Sequence, residues 1–69
     1  MKIIRLKEVI AVTGLSRSTI YDRMSAGEFP FSVNLGGSAV GWVEFEIHDW
    51  IEQRVLERNA RLIRCQSTK

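Results

Sequence analysis

The segment Leu15-Ser16-Arg17-Ser18-Thr19-Ile20-Tyr21-Asp22-Arg23-Met24-Ser25-Ala26-Gly27, set directly behind Gly14, reads as a short helix with a polar start. With Ser16 as N-cap, its hydroxyl meets the free backbone donors of the first turn, and Ser18 and Thr19 follow inside that turn. At about 100° per residue, Ile20 and Met24 share one face with Leu15 beneath them, while Arg17, Ser18, Tyr21, Asp22 and Ser25 cover the other. Gly27 supplies the left-handed residue that ends the helix, and Phe29-Pro30 just beyond prevents continuation. A helix that opens with Ser, Arg, Ser and Thr is built to touch something polar.

Upstream, Leu6-Lys7-Glu8-Val9-Ile10-Ala11-Val12 places Leu6, Val9 and Ile10 at i, i+3 and i+4 and ends at Thr13-Gly14. Two short helices joined by a glycine-containing turn form the helix-turn-helix unit, whose second helix enters the DNA major groove.

Downstream the period changes. Phe31, Val33 and Leu35 alternate with Ser32 and Asn34, Gly36-Gly37 turn the chain, and Ala39-Val40-Gly41-Trp42-Val43 return it. This predicts a two-stranded hairpin. A lone hairpin is marginal in water, so Val33, Val40 and Trp42 are expected to pack on the helices. A hairpin directly after a recognition helix is a wing. A third helix is predicted over Phe45–Glu57, with Ile47, Trp50, Ile51, Arg54 and Val55 on one stripe and Glu44, Glu46 and Asp49 toward its positive end. Its role is to lock the wing. At these spacings Trp42 and Trp50 read as core residues rather than base-stacking platforms, and Phe45 and Leu56 fall off the main stripe.

The 69 residues make one domain with one small core, burying roughly 60% of the unfolded chain's surface. No apolar run reaches the ~18 residues of a membrane span, and Met1-Lys2-Ile3-Ile4-Arg5 lacks a signal-peptide core, so a soluble, cytoplasmic protein is expected. The single cysteine, Cys65, forms no internal disulfide and reads as a passive tail residue; with one histidine there is no zinc set. His48 reads as a helix residue rather than a general base, because no Ser or Cys nucleophile accompanies it in a catalytic spacing. Neither a metal nor an organic cofactor is implied. An enzyme finds no support: there is no nucleophile–base pair and no phosphate-binding loop, and the core is too small to enclose a substrate.

The net charge of +2 hides an asymmetry. Residues 58–69 carry Arg58, Arg61, Arg64 and Lys69 without an acid, so residues 1–57 sum to −2. Most of the domain is not broadly basic. DNA affinity then requires Lys2, Arg5, Lys7, Arg17 and Arg23 to cluster, or the tail to join in. We divide the chain into a DNA-binding domain over 1–58 and a basic tail over 59–69. That tail is read as a helix extension through Ala60–Arg64 or a frayed end, solvated or settling on phosphates.

Taken together, Ile4-Arg5-Leu6-Lys7-Glu8-Val9, Thr13–Tyr21, Gly27-Glu28-Phe29-Pro30, Val40-Gly41-Trp42 and Glu46-Ile47-His48-Asp49-Trp50-Ile51 resemble the AlpA family of prophage regulators. The resemblance covers residues 3 to about 58. It implies a mainly α fold with a small β-hairpin, a winged helix-turn-helix of three helices and a two-stranded wing, of the MerR-like or excisionase-like kind. It also implies regulation of a mobile element, by transcription control or by directing an integrase toward excision. Carried over by position, Ser16, Arg17, Ser18, Thr19, Tyr21, Asp22 and Arg23 form the recognition helix, and Gly36, Gly37 and Ser38 the wing tip. Family members commonly carry Arg or Lys in the wing, where this chain has Ser38-Ala39-Val40-Gly41; contact there falls to backbone N–H groups or the Ser38 hydroxyl.

Arg17 is assigned to a guanine edge or a phosphate, Ser18 and Thr19 to contacts at the helix start, and Tyr21 to phosphate or a thymine methyl. Asp22 accepts from cytosine or orients Arg17 or Arg23, and Lys7 joins the set from the first helix. The expected partner is double-stranded DNA, bound by a monomer or weak dimer that is cooperative on repeated sites and bends them if excision is its task. The competing reading is a protein-interaction module recruiting an integrase or RNA polymerase subunit through Phe45, Leu56 and the tail.

Overall fold

Six side chains, drawn from five of the six secondary-structure elements and one loop, make the core: Ile4, Val9, Ile20, Phe29, Trp42 and Ile47, each at most 4% exposed. The computed structural model describes residues 1–67, with side chains to Ile63. Thr68 and Lys69, and the side chains of residues 64–67, lie outside that description, and with them the readings of an inert Cys65 and a phosphate-seeking arm; of the Gln66–Lys69 end expected to fray, Gln66 and Ser67 are helical. The elements run β1 (Ile3–Ile4), α1 (Leu6–Thr13), α2 (Arg17–Ser25), β2 (Val33–Gly36), β3 (Ala39–Val43) and α3 (Glu44–Ser67). This is the expected winged helix-turn-helix, mainly α with a small sheet.

The first two helices end where local chemistry stops them. Gly14 sits at φ 74° and its N–H donates to Ile10 O at 2.8 Å, closing α1. The Thr13 hydroxyl donates back to Val9 O at 2.7 Å and accepts from Leu15 N–H at 3.2 Å, knitting the turn to the helix before it. At the far end of α2, Gly27 N–H reaches Met24 O at 3.0 Å and Glu28 N–H reaches Arg23 O at 2.8 Å, the Schellman pairing around a left-handed Gly27.

The sheet has three strands, not the two expected. β1 pairs antiparallel with β3, Ile3 opposite Val43 and Ile4 opposite Trp42, giving the order β1-β3-β2. Two residues have no readable period, so the pattern carries no sign of this strand. Glu44 N–H donates to Lys2 O at 2.8 Å, fastening β1 to the start of α3.

Val40 packs on the core and Trp42 is fully buried, as expected. Val33 does not pack there: it is 39% exposed. It stands on the edge strand opposite Gly41, which offers no side chain to meet it, and every residue of β2 is exposed. The register shift between Asn34 and Gly36 inserts Leu35 as an extra residue and bends the strand away from the core.

Helix α3 is longer than the Phe45–Glu57 span of the sequence reading. Good helix formers follow and no Gly or Pro interrupts them. Only its first turns pack on the domain: Ile47 is buried, Trp50 and Ile51 half-buried, whereas Arg54 and Val55 of the expected stripe are exposed. No helix among the described residues is long and apolar enough to cross a membrane.

Candidate nucleic-acid interface

Helix α2 stands on the domain by one buried side chain, Ile20, with Leu15 and Met24 half-buried beside it. Its start is set by Ser16, whose Oγ accepts from Thr19 N–H at 3.2 Å and lies 2.9 Å from Thr19 Oγ1. The backbone N–H groups of Arg17 and Ser18 remain at the positive end of the helix, where anions bind. Arg17, Ser18, Tyr21, Asp22 and Ser25 are all exposed on the outer face, as the helical spacing required.

Tertiary folding brings three elements to the edge of that face. Arg5 and Lys7 from the start of α1, Arg17 and Tyr21 from α2, and Ser38 from the β2–β3 turn line one cleft of 370 Å³, floored by Leu6 and Val40. Three cations and no carboxylate line it. The Arg17 guanidinium lies 5.8 Å from the Tyr21 ring centroid, and the Tyr21 ring stands edge-on to Trp42 at 6.4 Å. A surface cation is thereby held by stacking on a ring that itself rests on the core.

Ser16, Arg17, Ser18, Tyr21, Asp22, Lys7 and Ser38 thus share or border one face. Gly37 adopts φ 57° and Gly36 φ 112° in the turn, and Gly36 N–H is taken by Asn34 Oδ1 at 2.7 Å. The wing offers backbone and the Ser38 hydroxyl; residues 31–43 hold no charged side chain. Thr19 is half-buried with its hydroxyl engaged by Ser16.

Arg23 is placed apart. It lines the larger cleft of 980 Å³ on the other side of α2, with Phe31, Val33, Phe45, Asp49 and Trp50, and its buried Nε has no acceptor. Lys2 is also removed, its ammonium 3.6 Å from Glu44 on an exposed surface. Arg5, one of the five cations required to cluster, does meet Lys7 and Arg17 in the cleft, although the sequence assigns it no contact of its own. It occupies the N-cap position of α1 without a side-chain cap bond, which leaves its guanidinium free to reach the cleft. Spacing alone does not tell which of those cations meet, because Arg17 and Ser38 are distant from Arg5 in sequence.

The tryptophans hold the frame rather than offering stacking faces. Trp42 Nε1 donates to Pro30 O at 3.2 Å and Trp50 Nε1 to Glu28 O at 2.8 Å, while Phe29 meets Trp50 edge-on at 4.8 Å. Both indoles clamp the loop that follows α2, and so set its angle to β3 and α3.

A glycine-turned helix pair, a polar second helix and an adjoining wing define a winged helix-turn-helix domain. The match of residues 2–55 to the family described as Prophage CP4-57 regulatory protein (AlpA) takes the assignment further: the chain belongs to the AlpA family of prophage regulatory proteins. It is 44% identical over 57 residues to the uncharacterised protein ORF88 of enterobacteria phage P4, covering 83% of this chain and 65% of the phage protein. It is also 42% identical over 60 residues to the DNA-binding transcriptional activator AlpA of Escherichia coli strain K12, covering 78% of this chain and 86% of that protein.

Proposed function

We propose that this chain is a sequence-specific, double-stranded DNA-binding regulator of a mobile element, acting in the cytoplasm without cofactor or catalytic step. The observation that carries this is the meeting of Arg5, Lys7 and Arg17 with Tyr21 and Ser38 beside the exposed polar face of α2. In this reading α2 lies in the major groove. Arg17, Ser18, Tyr21 and Asp22 face base edges, Ser16 and Thr19 hold the helix start against a phosphate, and Arg5 and Lys7 grip the flanking backbone. Gly37 and Ser38 approach a phosphate from the wing. Residues 1–58 carry this activity and 59–69 add basic charge. The relative named as a transcriptional activator favours control of transcription, and the same grip serves an excisionase that arranges DNA for an integrase.

Binding of the purified protein to fragments of its genomic neighbourhood, titrated against salt, tests the reading. Saturable binding is expected, with log affinity falling by about 0.9 per neutralised phosphate for each log unit of salt. Arg17→Ala loses about 1–3 kcal/mol on the preferred fragment if it reads a guanine, while the fold persists. Equal, weak binding to every fragment, unchanged by Arg17→Ala, refutes it. One observation favours a second reading, recruitment of an integrase or polymerase subunit: Phe45 is 68% and Leu56 52% exposed, away from the basic cleft.

A further inference from the structure

We propose that the larger cleft, between the base of the wing and the first turns of α3, is a docking groove for an extended segment of another protein in which apolar and basic side chains alternate. Beside it the three-stranded sheet is apolar on the face that turns away from the core. Val33 stands opposite Gly41 and Ile3 opposite Val43, and at the two-residue period of a strand all four share that outer face. Val40 and Trp42 take the inner one. An antiparallel sheet with one wet face ordinarily sets polar residues there. Here the outer face runs into the 980 Å³ cleft, lined by Val33 and Val43 together with Phe31 and Phe45, which are 64% and 68% exposed. Four apolar side chains converging on one concave surface, rather than scattered singly, mark a binding site.

Two features of the cleft itself identify the occupant. The first is charge. Glu28, Glu46 and Asp49 line the cleft, all exposed and none in an ion pair with a described residue. Of the two cations there, Arg54 is paired with Glu57 and Arg23 is half-buried with its Nε covered, so the rim presents carboxylate to solvent. A segment bearing Lys or Arg complements it. The second feature is an open edge. β2 is an outer strand of the sheet, and all four of its residues are exposed. Its outward backbone N–H and C=O groups match another extended chain. Edge strands are commonly guarded by a charge, yet residues 31–43 hold none. The bulge at Leu35 interrupts the edge toward the wing tip, which leaves residues 31–34, beside the cleft, as the length that takes a fourth strand. In such a strand one set of alternate side chains continues the apolar outer face. The other set turns to the inner side, where α3 packs and Glu46 and Asp49 stand.

The groove lies on the other side of α2 from the basic cleft, so the inference stands apart from the DNA reading, and its experiment uses no DNA. It also differs from recruitment through Leu56, which does not line the groove. The probe is a capped seven-residue peptide of alternating valine and lysine, titrated into the full 15N-labelled chain. Saturable amide shifts are expected at residues 28–33 and 43–50, with slowed amide exchange at residues 32–34. A peptide of alternating valine and glutamate leaves the spectrum unchanged. Glu46→Gln with Asp49→Asn, both exposed, weakens the lysine peptide about 2- to 30-fold, the worth of two exposed ion pairs, while the near-UV tryptophan spectrum is retained. Leu56→Lys leaves its affinity unchanged. No saturation by millimolar peptide, equal binding of the glutamate peptide, or affinity indifferent to the double variant overturns the inference. Binding lost in Leu56→Lys moves the peptide to the far length of α3 and overturns the groove; shifts without slowed exchange overturn the added strand.

Discussion

Replacing Gly41 by alanine adds one methyl group at the crossing of all three strands, and the geometry says what that methyl meets. A Cβ there lies 2.4 Å from Ile3 Cγ2, 3.1 Å from Ile4 O and 3.2 Å from Leu35 Cδ1. Carbon atoms in favourable contact sit about 3.5–4.0 Å apart, so Ile3 must retreat by more than an ångström. Its Cγ2 belongs to a β-branched side chain with little rotamer freedom, and Ile4 O is backbone. The whole of β1 therefore shifts, and β1 carries Ile4, a core residue only 2% exposed, and the Lys2 carbonyl that holds the start of α3. Overpacking of this kind costs about 1–3 kcal/mol. Against it stands the gain of about 0.4–1 kcal/mol from restricting the unfolded chain. The cost prevails by roughly 1–2 kcal/mol, which lowers Tm by roughly 5–15 °C in a domain of this size. Thermal unfolding followed by circular dichroism measures it at fixed protein concentration. A Tm equal to or above that of the parent chain refutes the reasoning, since it requires β1 to accommodate the methyl freely.

Ser16→Ala removes the cap from α2 and is expected to cost about 1 kcal/mol in denaturant unfolding, with DNA affinity falling as the helix start loosens. An unchanged midpoint contradicts the cap. Arg5→Ala and Lys7→Ala together leave base selection intact but reduce the salt slope by roughly 0.9 for each phosphate that is no longer neutralised. Salt titration of the double variant on preferred and scrambled fragments checks this, and a change in fragment preference at constant slope contradicts the assignment.

Much of the architecture is legible in the sequence because it rests on short-range chemistry. Gly14 and Gly27 are both left-handed and each terminates a helix; Ser16 caps; Ile20 and Met24 face inward because their spacing leaves them no other side. What escapes the pattern depends on distant partners. β1 exists only because Ile3 and Ile4 find Val43 and Trp42, and Val33 stays exposed because Gly41 stands opposite it. The candidate site divides along the same line. The outer face of α2 follows from periodicity, whereas the addition of Arg5 and the separation of Arg23 follow from how α1 and α3 lie against α2. Asn34 is intermediate: its bond to Gly36 N–H is local, yet the bulge beside it depends on the register with β3.

The economy of α2 leaves its outward face free to vary without loss of the scaffold. The helix has nine residues, only Ile20 fully buried, and no acidic side chain in its first turn. Hydrophobic packing over so few positions does not hold nine residues helical by itself. The ends supply the rest: the Ser16 cap at one, the Gly27 closure at the other, and the loop beyond it gripped by two indole N–H bonds. None of these supports uses the side chains of Arg17, Ser18, Asp22 or Ser25, so the outward side chains can change without disturbing the scaffold. Tyr21 is the exception. Its edge contact with Trp42 ties one outward residue to the core, and Arg17 stacks on it in turn. Replacing Tyr21 thus alters both the aim of the foremost arginine and the packing beneath it, whereas replacing Ser18 alters only what the surface meets.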